Sequence, residues 1–333
     1  MGCIRQTIAP YRRDIRRTAC PGDPLFIWDL GILIVFFFRK HSSRASGGAG
    51  PMKVQHYLPR NDILKEHIEY FYFLKTGSSD FETRYYAFPH TLTPVSIHQN
   101  VEAEIKHYSV SVFESKKKNN LAFVQGMRTR PLAVSLKGKL DKFTVCFKPL
   151  GLNNFVARSF SHICPNDTQI FREWDENPTY QEFLKKFYKT IDQTQRISIL
   201  EDFLLSIYCP IENQLVLERA ISILTDFEIE QSIEAIANSL GLNVRAFNRL
   251  FKKHLGISPI GYKKIARFRH SLNNKFFSEQ FQRLTDIAYN SNFYDQSYFS
   301  NIYKEMTGTN PKSFFDEIEK VGDDRLLFQF LNK

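Results

Sequence analysis

The sequence lacks the cysteine and histidine spacings that hold metal ions. Its five cysteines stand far apart, with no CxxC pair among them. His90, His98 and His107 are the nearest to a metal-binding set, but they show no HxH spacing and no carboxylate in phase with them. Isolated thiols are typical of a reducing compartment. We therefore expect a cytoplasmic protein without a metal site.

Signatures of enzymes are missing as well. The sequence has no glycine-rich phosphate-binding loop and no nucleophile elbow followed by an acid and a histidine. It thus predicts no cofactor and no catalytic residue. An enzyme whose helical half only targets a catalytic half remains the weaker alternative.

Long apolar runs are scarce. The run from Leu25 to Phe38 is broken by Asp29 and is too short and too charged to predict a membrane helix. Residues 42–50 are rich in Ser, Gly and Ala, as flexible linkers are. We expect residues 1–51 to be a non-native or disordered extension and Met52 to be the natural start. A membrane anchor is the alternative for this segment.

Acidic residues are nearly absent from one stretch. The chain of 333 residues, long enough for two domains, carries a net charge of +10. Between Asn243 and Arg283 the only acid is Glu279, among many Lys and Arg residues. Net charge alone fits a membrane surface as well as a nucleic acid. The local excess favours phosphates as partners and predicts salt-dependent binding.

A ten-residue unit occurs twice in this half of the chain, starting at Asn243 and at Asp295. Six positions match at one constant offset, which marks an internal repeat. The matched pairs are Phe247/Phe299, Leu250/Ile302, Phe251/Tyr303, Lys252/Lys304, Gly256/Gly308 and Pro259/Pro311. Each copy has a capping residue, an apolar stripe at helical spacing and a glycine suited to end a helix. A shorter helical segment precedes each copy, so each repeat predicts a helix-turn-helix.

The faces opposite the two stripes are polar. They carry Arg245, Asn248, Arg249, Lys252 and Lys253 in copy one, and Gln296, Ser297, Ser300, Asn301 and Lys304 in copy two. Arg suits guanine and Asn suits adenine in the major groove of DNA. For either helix alone a solvated face is an equal alternative, but two copies with a basic helix between them favour DNA recognition.

Four segments allow a family to be identified. They are Phe247-Asn248-Arg249-Leu250-Phe251-Lys252-Lys253, Gly256-Ile257-Ser258-Pro259, Asp286-Ile287-Ala288 and Asp295-Gln296-Ser297-Tyr298-Phe299. Through them, Ser232 to Phe315 resembles the DNA-binding domain of the AraC/XylS-type transcription regulators. The resemblance implies two helix-turn-helices on a linking helix, here 259–275, that enter successive major grooves about 34 Å apart. It also implies double-stranded DNA and RNA polymerase as partners, with a homodimer as one arrangement.

The resemblance also assigns roles to single residues. The family's base-contacting positions fall on Arg245, Asn248 and Arg249 in copy one, and on Gln296, Ser297, Ser300 and Asn301 in copy two. We expect phosphate contacts from Lys252, Lys253, Lys263, Lys304 and Lys312. Many members carry Arg at the positions of Asn301 and Phe315. Copy two is therefore expected to contribute less affinity.

Residues 52–160 contain short β-prone runs separated by Gly, Pro or charge. This pattern predicts a β-barrel or sandwich. It resembles, more weakly, the β-rich N-terminal domain of Bacteroidetes-type members of the family, for which we expect a cupin-like sensor that binds a small-molecule effector. Candidate pocket residues are Tyr72, Tyr86, Phe88, His98 and Tyr108. A filled core in a dimerisation or scaffolding module is the alternative.

The expected fold class is therefore α+β with two domains. Residues 161–210 are predicted as a helical linker that pairs two copies or forms an intramolecular lid, and residues 211–320 as the DNA-binding domain. The tail 321–333 is predicted as a short helix or as disordered. The predicted function is sequence-specific transcription regulation through DNA, with a partner-binding adaptor as an alternative.

Overall fold

The computed structural model describes residues 34–38, 52–212, 214–277, 284–293, 295–317, 319–320 and 326–330. Of the predicted extension 1–51, only the strand at Ile34–Phe38 belongs to these residues. The rest of that segment lies outside what is described, and the natural start at Met52 remains a prediction. Within the described ranges, no helix is long and apolar enough to cross a membrane.

Two β-sheets contain the strands of the N-terminal part together with two strands of the C-terminal tail. The first has the order β12 (Glu319–Lys320), β13 (Leu326–Phe330), β1 (Ile34–Phe38), β4 (Glu82–Ala87), β9 (Leu132–Lys137), β7 (Ser109–Glu114), β6 (Val101–Lys106). The second has the order β11 (Thr168–Ile170), β8 (Asn120–Gln125), β5 (Thr93–Gln99), β10 (Asp141–Phe147), β3 (Ile68–Lys75), β2 (Lys53–Tyr57). Neighbouring strands are antiparallel except β1 with β13 and β7 with β9.

The described strands do not close into one barrel, so the prediction of a cupin-like barrel is corrected to two packed sheets. Alternation in a sequence shows which faces of a strand are buried, but it does not show which strand edges meet. The sandwich alternative, which the sequence left open, is the arrangement found.

Alternate residues of the central strand β3 enter two different apolar cores. Tyr70, Tyr72 and Leu74 lie in the core between the two sheets. Phe71 and Phe73 lie in a second core, which α3 (Pro178–Lys189) and α4 (Gln193–Ser206) cover from outside. Because both faces of β3 are buried, its sequence is a continuous aromatic run rather than an alternating one.

Helices α3 and α4 use their apolar stripes within the chain. Phe183 of α3 stacks on Phe203 of α4 with ring centroids 4.5 Å apart, and the ring of Phe187 lies 4.3 Å from that of Phe143 in β10. This packing corresponds to the intramolecular alternative for residues 161–210. Pairing of two copies through these helices, and the domain limits read from the sequence, remain predictions.

The C-terminal part is helical. Its helices are α5 (Gln214–Thr225), α6 (Ile233–Ser239), α7 (Val244–Leu255), α8 (Pro259–Phe277), α9 (Leu284–Asn290), α10 (Gln296–Thr307) and α11 (Pro311–Glu317). The remaining helices are α1 (Asp62–His67), a 3₁₀ helix (Gly151–Phe155) and α2 (Phe160–Ile163). The buried residues of α5 to α11 form one continuous apolar cluster with those between the two sheets. The linking helix predicted for 259–275 is confirmed as α8.

The tail contains a strand where we expected a helix or disorder. Strand β13 pairs in parallel with β1, from Ile34 opposite Leu326 to Phe38 opposite Phe330. The helical expectation rested on a short apolar run, which cannot distinguish a helix from a buried strand. The tail forms a strand because β1, which is distant in sequence, supplies the backbone with which β13 pairs.

Candidate nucleic-acid interface

The first helix-turn-helix forms as the sequence predicts. The hydroxyl of Ser232 accepts a hydrogen bond of 3.1 Å from the first turn of α6. Gly241 takes a φ of 70° in the turn. The side chain of Asn243 then accepts a hydrogen bond of 2.8 Å that starts α7, and Gly256 ends α7 in the left-handed conformation.

The second helix-turn-helix repeats this geometry. Asn292 takes a φ of 50° in the turn after α9, as expected for the residue type that best replaces glycine there. Asp295 caps α10 with a hydrogen bond of 2.7 Å, and Gly308 ends it with a φ of 82°. Both predicted caps and both predicted turns are therefore confirmed.

The cap at Asn243 gives a first testable prediction. We expect Asn243→Ala to lower the free energy of unfolding by about 1 kcal/mol, because an amide of the first turn of α7 loses its acceptor. Asn243→Asp keeps that acceptor and should have a much smaller effect. Urea denaturation of both variants measures the difference. Equal losses in both variants would show that the cap does not stabilise α7.

The apolar stripe of each recognition helix packs against α8. Phe247 and Phe251 of α7 are fully buried, and the Phe251 ring lies 5.5 Å from that of Tyr262 in α8. In the second copy, the Tyr303 ring of α10 lies 5.1 Å from that of Phe268 in α8. These contacts determine which face of each recognition helix points outward.

The predicted base-contacting side chains lie on those outward faces. The exposed ones are Arg245, Arg249, Gln296, Ser297 and Asn301. Asn248 and Ser300 are half-buried. The amide of Asn248 donates to the carbonyl of Val244 at 2.9 Å, so it must exchange this hydrogen bond before it can contact a base. Helical spacing brings the members of each set together on one side of their helix.

The predicted phosphate contacts divide into two groups. Lys252, Lys253, Lys304 and Lys312 are exposed. Lys263 is held inside, with Nζ 3.0 Å from a carboxylate oxygen of Glu230 and a side chain that is 13% exposed. Its placement does not favour a phosphate contact, which therefore remains only a prediction for Lys263.

Other cations of the basic stretch also point inward. Arg267 donates to Glu230 at 2.9 Å and lies over the rings of Phe227 and Phe293. That hydrogen bond is the main reason why the pKa of Glu230 is lowered. The number of Lys and Arg residues in the sequence overstated the exposed positive charge. Helix α8 lies at the centre of the helical part, and the sequence alone does not show that its Lys263 and Arg267 side chains point inward.

The β-rich part contacts the end of α7, which the sequence did not predict. Phe160 of α2 packs on Gly256, where an added Cβ would lie 2.9 Å from its ring. The side chain of Asn153 donates to the carbonyl of His254 at 3.0 Å. The first recognition helix is thus anchored to the N-terminal part at its C-terminal end.

A second contact joins the β-rich part to α8 and α11. Nε of Arg269 donates to the carbonyl of Pro89 at 2.6 Å, and Nη2 donates to that of Phe88 at 3.1 Å. The Phe88 ring also lies 5.1 Å from that of Phe314 in α11. Phe315, at a position where many family members carry Arg, has a structural role, since its ring packs 5.4 Å from that of Tyr303.

The five predicted pocket residues lie in different surroundings, and a pocket shared by all of them remains a prediction. Tyr72 and Phe88 line a common cavity of about 40 Å³. Tyr86 is half-buried and lies beside Phe88, with ring centroids 6.5 Å apart. His98 is buried against Phe123, and burial lowers its pKa well below the usual value. Tyr108 is at the turn between β6 and β7 with a φ of 53°. Among the described residues, no group of three His, Cys, Asp or Glu is placed to hold a metal ion.

Comparison with known proteins supports the assignment of the helical part. Residues 236–317 match the family "Helix-turn-helix domain", and residues 55–169 match the family "Domain of unknown function (DUF6597)". The transcriptional activator RhaS of Enterobacter sp. (strain 638) is 30% identical over 89 residues, or 26% of this chain and 30% of that protein. RhaS of Escherichia fergusonii is 31% identical over 84 residues, or 24% of this chain and 28% of that protein. The chain thus spans less than a third of these relatives.

Among solved structures, ToxT from Vibrio cholerae is similar to 81% of this chain and 98% of its own, with a TM-score of 0.41 and 11% identity. A fatty-acid-bound form of ToxT gives a TM-score of 0.40 and 13% identity. The doubled helix-turn-helix geometry, the matched family and the RhaS relatives agree that residues 236–317 form a helix-turn-helix domain of the AraC/XylS type.

Proposed function

We propose that the protein is a sequence-specific, DNA-binding transcription regulator. Its helices α7 and α10 read two adjacent major-groove segments of double-stranded DNA. The observation that supports this most directly is the repeated capped helix with a buried stripe and an exposed hydrogen-bonding face. Both helices pack on α8, and for a doubled helix-turn-helix of this type we expect half-sites about one helical turn apart.

The two recognition helices contribute differently. Helix α7 presents exposed Arg and Lys residues, whereas α10 presents mainly Gln, Ser and Asn. Arg reads guanine through two hydrogen bonds and attracts phosphates, whereas uncharged side chains contribute less to affinity. We propose that α7 supplies most of the affinity.

Salt dependence separates phosphate contacts from base contacts. We expect Lys252→Ala to weaken binding to all DNA sequences alike and to reduce the slope of log K against log salt by about 1. Lys185→Ala removes an exposed charge from α3, far from both recognition helices in sequence, and should leave the slope unchanged. Fluorescence anisotropy across a salt series measures both. An unchanged slope for Lys252→Ala would remove Lys252 from the interface.

We further propose that the β-rich part modulates DNA binding. It contacts the C-terminal end of α7 through Phe160 and Asn153, and it contacts α8 through the hydrogen bonds from Arg269. A small-molecule effector that shifts these contacts would alter how the two recognition helices are held. The same proposal includes cytoplasmic localisation, RNA polymerase as a partner and pairing of two copies. It also includes activation of transcription, because the RhaS relatives are named as activators.

A further inference from the structure

A charged groove lies between the two helix-turn-helices, along one face of α8. Its volume is about 390 Å³. It is lined by the start of α6, by residues of α8 and by Tyr298 of α10. Its charged lining consists of Glu230, Lys263, Lys264 and Arg267. Among the lining residues that the structure describes, three cations therefore face one carboxylate.

The groove lies beside parts of both motifs that approach DNA in the proposed function. In a helix-turn-helix the first helix crosses the phosphate backbone, and the N-terminal residues of the recognition helix contact base edges. Ser232 caps α6, which is the first helix of one motif. Tyr298 lies in the first turn of α10, the recognition helix of the other motif. A duplex read by α7 and α10 would therefore pass its backbone along this groove.

One oxygen of Glu230 binds two cations of α8. Its Oε1 lies 3.0 Å from Nζ of Lys263 and 2.9 Å from Nη2 of Arg267. Both cationic side chains are mostly buried, with 13% and 7% exposed, whereas the Glu230 side chain is 57% exposed. Glu230 can thus turn out to solvent without moving its partners. The two cations would then need another anion, because a buried charge without a partner is costly.

The cations also have donors that Glu230 does not use. A lysine ammonium has three N–H donors, and Lys263 bonds only Glu230 and, at 3.2 Å, the carbonyl of Gln231 in the described part of the chain. Nε of Arg267 is buried and has no hydrogen-bond partner among the same residues. Lys264 adds a third, partly exposed cation, 3.3 Å from a carboxylate oxygen of Glu305. Unused donors and excess positive charge favour an external anion in this groove.

We propose that the place of the Glu230 carboxylate is a binding site for one phosphate of the DNA backbone between the two half-sites, and that Glu230 fills this site only when DNA is absent. The proposal rests on the proposed function, because the duplex read by α7 and α10 supplies the phosphate. Lys263, Lys264 and Arg267 then contact the phosphate, and no buried cation is left unpaired. Hydrogen bonds from Lys and Arg to phosphate are among the strong ones.

Glu230 is therefore a competitor of DNA for the same cations. Its ion pairs must break before the phosphate binds, so they lower the affinity for DNA. Because phosphate contacts carry no sequence information, this effect is the same for every duplex. The exchange also reconciles the burial of Lys263 in the free protein with a phosphate contact in the complex.

Glu230→Gln tests the competition, since it keeps the size of the side chain and removes its charge. We expect this variant to bind every duplex about threefold more tightly, as the loss of a partly exposed ion pair permits, while its Tm falls slightly. A purely structural role for Glu230 would lower affinity and Tm together. Glu228→Gln removes the same charge from an exposed side chain two residues earlier and should bind as the parent does. Fluorescence anisotropy measures the affinities. A Glu230→Gln affinity no higher than that of Glu228→Gln would overturn the proposal.

Neutral backbone substitutions locate the phosphate. Each phosphate between the half-sites of a specifically bound duplex is replaced in turn by an uncharged methylphosphonate. At one position we expect the affinity of the parent to fall about tenfold, as the loss of a charged hydrogen-bond partner predicts. Lys263→Met should lose far less at that position, because its contact is already weakened, whereas Lys252→Ala on α7 should show the full loss.

A loss in Lys263→Met equal to that of the parent at every position would overturn the proposal. A site for free phosphate ions would likewise show no such position. Specific binding by the parent in that case would leave the proposed function standing, whereas a parent that binds no DNA would overturn both.

Discussion

Replacing Arg245 and Arg249 together with alanine is expected to weaken specific DNA binding by about 2–6 kcal/mol, since each arginine that reads a guanine contributes about 1–3 kcal/mol. Both side chains are exposed on α7, so their removal leaves no buried group unsatisfied and the fold should persist. Arg249→Ala alone should cost about 1–3 kcal/mol and relax the preference at one base pair.

Competition binding against a set of single-base operator variants measures this effect. Arg219→Ala provides the matched control, because Arg219 is an exposed arginine of α5, outside both recognition helices. A loss that is the same on every DNA sequence would assign Arg245 and Arg249 to phosphates, and base reading by α7 would then be wrong.

The second large effect concerns the contact between the two parts of the chain. Gly256→Ala should lower the free energy of unfolding by about 2–4 kcal/mol. A left-handed non-glycine residue costs about 1 kcal/mol, and forcing a methyl group into packed surroundings costs about 1–3 kcal/mol more. The added Cβ would lie 2.9 Å from the ring of Phe160, which is buried and cannot move away freely.

Gly308 provides the control for this prediction. It ends α10 with a φ of 82°, but in the part of the chain that the structure describes no atom beyond its own helix and chain neighbours lies within 4 Å of its added Cβ. Gly308→Ala should therefore cost only the conformational part, about 1 kcal/mol. Chemical denaturation of both variants isolates the packing of Phe160 on α7. Equal losses of unfolding free energy in the two variants would mean that Phe160 of the β-rich part does not pack closely on the end of α7.

Local features of the helical part were predictable because they depend on neighbouring residues. Asn243, Asp295, Gly256 and Gly308 act within one helix turn, and the apolar stripe of each helix repeats at a fixed spacing. The position of Asn292 in the turn followed from the same repeat. Such signals lie within a short window of sequence, so they can be identified without knowledge of the fold.

Features that depend on distant partners were not predictable. The hydrogen bonds from Arg269 to Phe88 and Pro89 join residues about half the chain apart, and neither end has a distinctive sequence signal. Nothing in the sequence distinguishes Lys263 from an exposed lysine, yet in the structure its side chain is mostly buried and paired with Glu230. The strand at Leu326–Phe330 depends on pairing with Ile34–Phe38. In each case the deciding partner is set by tertiary packing.

The candidate base-contacting residues were identified by helical phase combined with the family resemblance. The structure places the exposed members, such as Arg245 and Gln296, on the faces expected. The cavity that Tyr72 and Phe88 share was less accessible to sequence reasoning. Aromatic residues at strand spacing are usually part of a filled core, and the charged lining of this cavity, Arg128 and Arg269, comes from segments with no common pattern.

The most direct test of the central claim is selection of duplexes from a random DNA library by the full chain, followed by sequencing of the retained DNA. If α7 and α10 both read bases, the retained sequences will share a motif with two half-sites about 10–10.5 base pairs apart. The stronger half-site should depend on Arg245 and Arg249. A library retained without any enriched motif, or a motif with one half-site only, would contradict reading by two recognition helices.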